Sequence, residues 1–172
     1  YKVAVPEPSL YVQFKNLYDI NYVLTALKKL GFDDVVEGAK GAEYVSAATE
    51  RYLKTKHVTR KPVISSACPA VVNLITMRFE HLIDNLSPVQ QPEEVAANMA
   101  RAKAQMETGL DDSQIGVFVI SQCAALVTGL RSSVNARVDG VLSVKDIYFP
   151  LLAELNKLKP YEVEKLATAG AS

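Results

Sequence analysis

The chain reads as an α/β protein, parallel or mostly parallel β-sheets flanked by helices, and three observations carry that reading. Short apolar runs alternate with longer segments whose apolar residues recur every three or four positions, the repeat of βα units. The two cysteines, Cys68 and Cys123, each stand where an apolar run gives way to a helical pattern, the place where open α/β sheets collect ligands. A length of 172 residues with 49% hydrophobic content can bury roughly 70% of the unfolded surface, enough for one compact domain or two small packed lobes.

Val3-Ala4-Val5 is a strand ended by Pro6 and Pro8, and Leu17, Ile20, Val23, Leu24, Leu27 and Leu30 then trace an amphipathic helix. Gly31 supplies the helix exit, and Val35-Val36 is a second short strand. Gly38 and Gly41 open the next helix, with Ala42, Val45, Ala48, Tyr52 and Leu53 as its apolar face. A third strand is predicted at Pro62 to Ser65, giving βαβαβ and right-handed crossovers. Pro69 suits the first position of a helix running through Val72, Leu74 and Ile75 toward Phe79.

Pro92-Glu93-Glu94 is a helix start, because proline presets the first dihedral and the carboxylates oppose the positive dipole end. Val95, Met99, Ala102 and Met106 are read as its buried stripe, and Gly109 as its end. Ile115 to Ile120 is the clearest strand, with Cys123 just past it. Val138 to Leu142 reads as another strand. Ser143 and Asp146 form a capping box for a helix carrying Ile147, Leu151, Leu152 and Leu155, which Pro150 should bend or delay. One further helix is expected over Pro160 to Ala169.

Nineteen basic and nineteen acidic side chains cancel and no long run of one sign occurs, so no field draws the molecule onto nucleic acid or an anionic membrane. The longest apolar runs fall far short of the roughly 20 residues that span a bilayer, and the first residues lack a signal-peptide pattern, which makes the cytoplasm the default location. His57 lies in a basic stretch read as a solvated crossover, and His81 has no metal-ligand spacing around it. Neither histidine makes a nucleophile of Ser65 or Ser66. Gly38 and Gly41 lack the third glycine and the lysine-serine pair of a phosphate loop, so they are turn chemistry.

Two cysteines make no disulfide framework. Both fall at predicted strand ends, so parallel strands would bring the sulfurs out on one side, where helix amino ends favour a thiolate and stabilise an anionic cluster. The residues alone leave four readings open: buried small hydrophobes, a metal or cluster site, free thiols and a thiol switch.

Pro62-Val63-Ile64-Ser65-Ser66-Ala67-Cys68-Pro69-Ala70 is similar to the first cluster-binding motif of the iron-only (FeFe) hydrogenases. Asn85-Leu86-Ser87-Pro88 and Pro92-Glu93-Glu94-Val95 are similar to the segments downstream of that motif. Gly31-Phe32-Asp33-Asp34-Val35-Val36-Glu37, Gly41-Ala42-Glu43 and Ala48-Thr49-Glu50 resemble the approach to it. Phe118-Val119-Ile120-Ser121-Gln122-Cys123 resembles the second motif, and Val138 to Leu142 the strand after it.

The resemblance implies a partial, two-lobed iron-only hydrogenase-like domain: residues 1–110 as the first lobe with the Cys68 motif, and 111–172 as the start of the second with the Cys123 motif. It makes Cys68 and Cys123 two ligands of a 4Fe-4S cluster coupled to a di-iron subsite, together the H-cluster. The remaining ligands belong to a third motif in the remainder of the parent chain, so the isolated chain is expected to be inactive. Ferredoxin-type or signalling domains are the other implied partners. In hydrogen-evolving members a cysteine before the first ligand relays protons. Here Ala67 stands there, while Glu50 and Ser87 match outer positions of that path, each also readable as a plain helix or turn residue. Gln122 and Leu126 replace a proline and a cluster-contacting lysine of the second motif.

Loss of the relay cysteine implies an anaerobic redox or hydrogen sensor with little turnover. The alternatives are part of an active hydrogenase, catalysing proton reduction and hydrogen oxidation, or a non-catalytic iron–sulfur scaffold. Cluster ligands should bring the two sulfurs about 6 to 7 Å apart, given metal–thiolate bonds of roughly 2.3 Å.

Overall fold

The computed structural model describes residues 1–15, 17, 19–55, 58, 60–132 and 137–168, without the side chains of 131 and 132. His57 lies outside the described residues. Four parallel strands, β1 (Lys2–Pro6), β2 (Asp34–Val35), β3 (Gly116–Ser121) and β4 (Gly140–Ser143), form one sheet in the order β2-β1-β3-β4. Val3 pairs with Val117 and Val5 with Val119 across the centre. The sheet thus joins the stretch before residue 110 to the stretch after it.

The central strands are apolar because helices cover both of their faces. Period-two alternation sends Val3, Val5, Val117 and Val119 to one side and Ala4 and Ile120 to the other. On the second side lie α1 (Asn21–Lys29) and α6 (Val144–Lys157), which bury Val23, Leu24, Leu27, Ile147 and Leu151. On the first lie α4 (Pro92–Thr108) and α5 (Ala124–Ser132), through Ala97, Ala100, Ala104, Leu126 and Leu130. The connection from β1 to β2 runs over one face and that from β3 to β4 over the other. Right-handed crossovers require this when the order runs outward in both directions from the middle. The reversal between β1 and β3 opens a crevice at their carboxyl ends.

α2 (Gly38–Lys54) packs on the outside of α4. The crossing is so close that a Cβ on Gly41 would stand 2.0 Å from the Pro92 carbonyl oxygen and 2.9 Å from the Ala96 Cβ. At the opposite end of the sheet the buried Arg101 guanidinium ties α4 to the starts of β3 and β4. It donates to the carbonyls of Ile115 (2.7 Å) and Asp112 (2.9 Å) and to the Asp139 carboxylate, which also accepts the Val117 N–H at 2.7 Å.

Several helix signals act as expected. Pro92 is the first residue of α4, Gly109 ends it at a φ of 69°, and the Ser143 hydroxyl accepts the Asp146 N–H at 3.2 Å. Four expectations are corrected. Pro62 to Ser65 forms no strand of the sheet: Ile64 makes only an isolated bridge to Leu86, so Cys68 follows an irregular extended segment. The buried side of α4 is Glu94, Ala96, Ala97, Ala100, Arg101 and Ala104, while Met106 is 84% exposed, because the sheet takes the alanine side and α2 crosses at Ala96 at glycine distance. Pro150 does not delay α6, which starts six residues before it; it lies on the exposed side, where water can take the carbonyl that its ring leaves unpaired.

The expected helix at Pro160 is one 3-10 turn, Pro160–Glu162. The chain then runs irregularly, held by side chains of the first half. Asn21 Oδ1 accepts the N–H groups of Leu166 and Ala167 (2.7 and 2.8 Å), the Thr25 hydroxyl accepts that of Glu164, and Glu37 that of Thr168.

Candidate functional site

Cys123 stands two residues past β3, at the rim of the crevice between β1 and β3. The Ser121 hydroxyl, fully buried, accepts the Cys123 N–H at 2.9 Å and so fixes the turn. The Cys123 carbonyl accepts the Val127 N–H, opening α5. Cys68 occupies the equivalent place before α3 (Pro69–Arg78), and its carbonyl accepts the N–H groups of Val71 and Val72, each at 3.1 Å. Both thiols are free and exposed. Each therefore sits at the amino end of a helix, where unpaired N–H groups and the dipole favour negative charge.

α3 and α5 pack on one another. Their contact is close at Gly129, where a Cβ would lie 2.8 Å from the Pro69 Cβ. The residue following Cys68 thus rests directly on the helix that Cys123 starts.

Beside Cys68, a cavity of about 120 Å³ is lined by Ser65, Ser66, Ala67 and Ser87 and by Thr49 and Leu53 of α2. Ser87 is buried; its N–H donates to the Ile64 carbonyl at 2.8 Å, and its hydroxyl accepts from the Val89 N–H at 3.3 Å. The Ser66 hydroxyl donates to the Val89 carbonyl at 2.7 Å. Ala67 and Ser87 therefore share one hollow. Glu50 does not line it; its side chain is 68% exposed and paired with Lys54. Thr49 holds the inward place on α2, which sequence reasoning passed over, although Val45, Thr49 and Leu53 at spacings of four mark one helix face. Among the described residues, no acid or base lines this cavity.

Leu126 is a core residue, 3% exposed. Gln122 is exposed, and its side-chain oxygen accepts from Gln13 at 3.5 Å. His81 is exposed beside the Phe79 ring. The Tyr11 hydroxyl is buried with no hydrogen-bond partner among the described residues; burial first, then the Glu37 charge, pushes its ionisation up.

A family model described as the iron only hydrogenase large subunit, C-terminal domain, matches residues 2–169. The chain belongs to that family. Iron hydrogenase 1 of Clostridium pasteurianum is 23% identical to this iron-only hydrogenase-type chain over 132 residues, 72% of this chain and 23% of that protein. A variant of the FeFe-hydrogenase HydA1 from Chlamydomonas reinhardtii matches with a TM-score of 0.71 at 16% identity, over 99% of this chain and 48% of that one. An apo form of a second HydA1 variant from the same organism matches with a TM-score of 0.67 at 16% identity and the same coverage. These structures share the α/β fold described above. The chain spans about half their length, 48%, and 23% of the curated relative.

As donors, the two cysteines suit an iron–sulfur group in kind: soft, exposed sulfurs at helix amino ends. In number they are two. Among the described residues no group of three or more His, Cys, Asp and Glu side chains is arranged to hold a metal ion.

Proposed function

We propose that this chain supplies two thiolate ligands, Cys68 and Cys123, to a 4Fe-4S cluster within a longer iron-only hydrogenase-like protein, which reads redox state or hydrogen with little turnover. The packing of α3 on α5 through Pro69 and Gly129 carries the first part, since it seats two exposed thiols at the heads of contacting helices. The remaining cluster ligands and the contacts to the di-iron subsite come from the remainder of the parent chain. When bound, the H-cluster supplies the electron storage and hydrogen chemistry. This chain's residues contribute thiolate ligation and the surroundings of Ala67.

Those surroundings support low turnover. Proton delivery needs a chain of groups that accept and release protons. Among the described residues, the cavity at Ala67 is lined by serine and threonine hydroxyls, Gln90 and aliphatic groups and by no acid or base, the Ala67 methyl neither donates nor accepts a proton, and Glu50 is turned to solvent. The reading assigns the protein to the cytoplasm of an anaerobically working system, with ferredoxin-type or signalling domains as electron or signal partners; among the described residues no helix is long and apolar enough to cross a membrane.

Leu126 favours a second reading, a non-catalytic scaffold. At the position of a cluster-contacting lysine in the resembling motif, it is committed to the core between α5 and the sheet. Anaerobic reconstitution of the full-length protein separates the two. The cluster reading predicts stoichiometric iron and sulfide, lowered in both Cys68→Ser and Cys123→Ser, and a rise in hydrogen turnover with Ala67→Cys. Absence of iron supports the scaffold, and iron binding without a rise in the Ala67→Cys protein defeats the relay argument alone.

A further inference from the structure

A cavity of about 530 Å³ opens at the outer edge of the sheet and shares no lining residue with the hollow at Ala67. Among the described residues no strand lies beyond β2 on that edge. The Val36 N–H donates to the Ala4 carbonyl at 2.9 Å, so strand alternation turns the Val35 N–H and carbonyl away from β1, toward the open side. The Val35 side chain packs with α1 on the far face, which leaves its backbone to line the cavity. Val35 is 6% exposed, and an adjacent donor and acceptor buried to that extent are ordinarily paired. Across the cavity, α2 presents Lys40, Tyr44 and Ala47, and α4 presents Met99 and Lys103. Leu166 closes it, in a segment that the Asn21 side chain fixes.

We infer that this cavity binds an adenine nucleotide, with the base edge on Val35, the ring against Tyr44 and Met99, and the phosphates at Lys40 and Lys103. Its volume lies in the range of roughly 300–1,000 Å³ usual for small-ligand sites. Adenine sets an acceptor nitrogen beside an amino donor, the complement of one residue's N–H and carbonyl. β2 is two residues long and turns one such pair outward, whereas guanine carries a third polar group on that edge. An acyl chain would leave Val35 unpaired, and a bare anion would leave the apolar walls without a partner. Lys40 bonds Glu43 at 3.0 Å and Lys103 bonds Asp34 at 2.6 Å, but an ammonium carries three donors, so each keeps donors for a phosphate oxygen. Tyr44 is 59% exposed, which leaves its ring face open for stacking. The inference is independent of whether a cluster is bound.

Equilibrium dialysis of ADP against the full-length protein, prepared without iron, tests it. Saturable binding is predicted, and Ala47→Trp, which fills the cavity from the exposed side of α2, should weaken it about tenfold or more at an unchanged Tm. Lys40→Ala should weaken ADP about tenfold and adenosine less than about twofold, and ADP dimethylated on its amino nitrogen should bind about tenfold more weakly than ADP, each the loss of one hydrogen bond. The comparison of ligands needs no variant to fold. Binding weaker than about 1 mM overturns the inference, as does binding that Ala47→Trp leaves intact, which would put the nucleotide elsewhere. Equal affinity for ADP and pyrophosphate, GDP or the dimethyl analogue overturns it too, since the base edge would then be unread.

Discussion

Gly129→Ala tests the contact between α3, which Cys68 precedes, and α5, which Cys123 precedes. The new methyl carbon would lie 2.8 Å from the Pro69 Cβ and 3.2 Å from its Cγ. Carbon atoms in contact prefer about 3.5–4.0 Å, so α3 and α5 must part by about 0.7–1.2 Å. Overpacking of that size costs about 1–3 kcal/mol. Alanine returns about 1 kcal/mol of helix propensity within α5, which leaves a net loss of about 0–2 kcal/mol. A domain of this length then loses no more than about 4–8 °C in Tm. Cluster ligation is far less forgiving, because metal–ligand distances hold within about 0.2 Å. Displacing one ligand turn should therefore weaken iron binding by about 10–100-fold, the usual effect of losing support behind a ligand. The assay is iron retention against a chelator in full-length, anaerobically reconstituted protein, with Tm measured on the same samples. Wild-type iron retention in a variant whose Tm has fallen would refute the reasoning, since the helices would have moved without disturbing the ligands.

Three further outcomes are expected. Arg101→Met strips the bonds at Ile115, Asp112 and Asp139 and should cost about 2–3 kcal/mol in urea unfolding, in line with hydrogen bonds to charged groups. The Arg137 guanidinium bonded to Asp112, with Arg101 beside it, holds that carboxyl below its ordinary value of 3.8. A depressed acid contributes stability above its unfolded value and loses it as pH falls toward the folded one, so Asp112→Asn should flatten the fall of Tm below about pH 4. Tyr11→Phe removes a buried hydroxyl that has no partner among the described residues and should raise the urea midpoint by the equivalent of about 1 kcal/mol.

The sheet was legible wherever an apolar run was long enough to be covered on two faces, as at Val3 to Val5 and Ile115 to Ile120. So were the helix ends, whose signals at Pro92, Gly109 and Ser143 are local. Val63-Ile64 misled because a short apolar run carries no record of its neighbours, and among the described residues this one pairs with the 85–87 segment through an isolated bridge at Leu86 rather than with a strand of the sheet. On α4 the methionines outweighed the alanines in a hydrophobicity reading. What is buried was decided by other elements: the sheet, whose valines share a core with Ala97, Ala100 and Ala104, and Gly41 of α2, close against Ala96. The segment after Pro160 is held by Asn21, Thr25 and Glu37, partners more than 130 positions away that no local pattern reveals.

At the site, the turns bearing Cys68 and Cys123 could be read from their helix starts. Which α2 residue faces Ala67 could not: Thr49 and Glu50 are adjacent, and a rotation of 100° about the helix axis decides between the cavity and solvent.

Iron anomalous diffraction from anaerobically grown crystals of the full-length protein bears most directly on the pairing of these thiolates. Iron density at roughly 2.3 Å from the Sγ atoms of both Cys68 and Cys123 is the predicted result. Crystals from reconstituted protein that show no iron on either sulfur would contradict it.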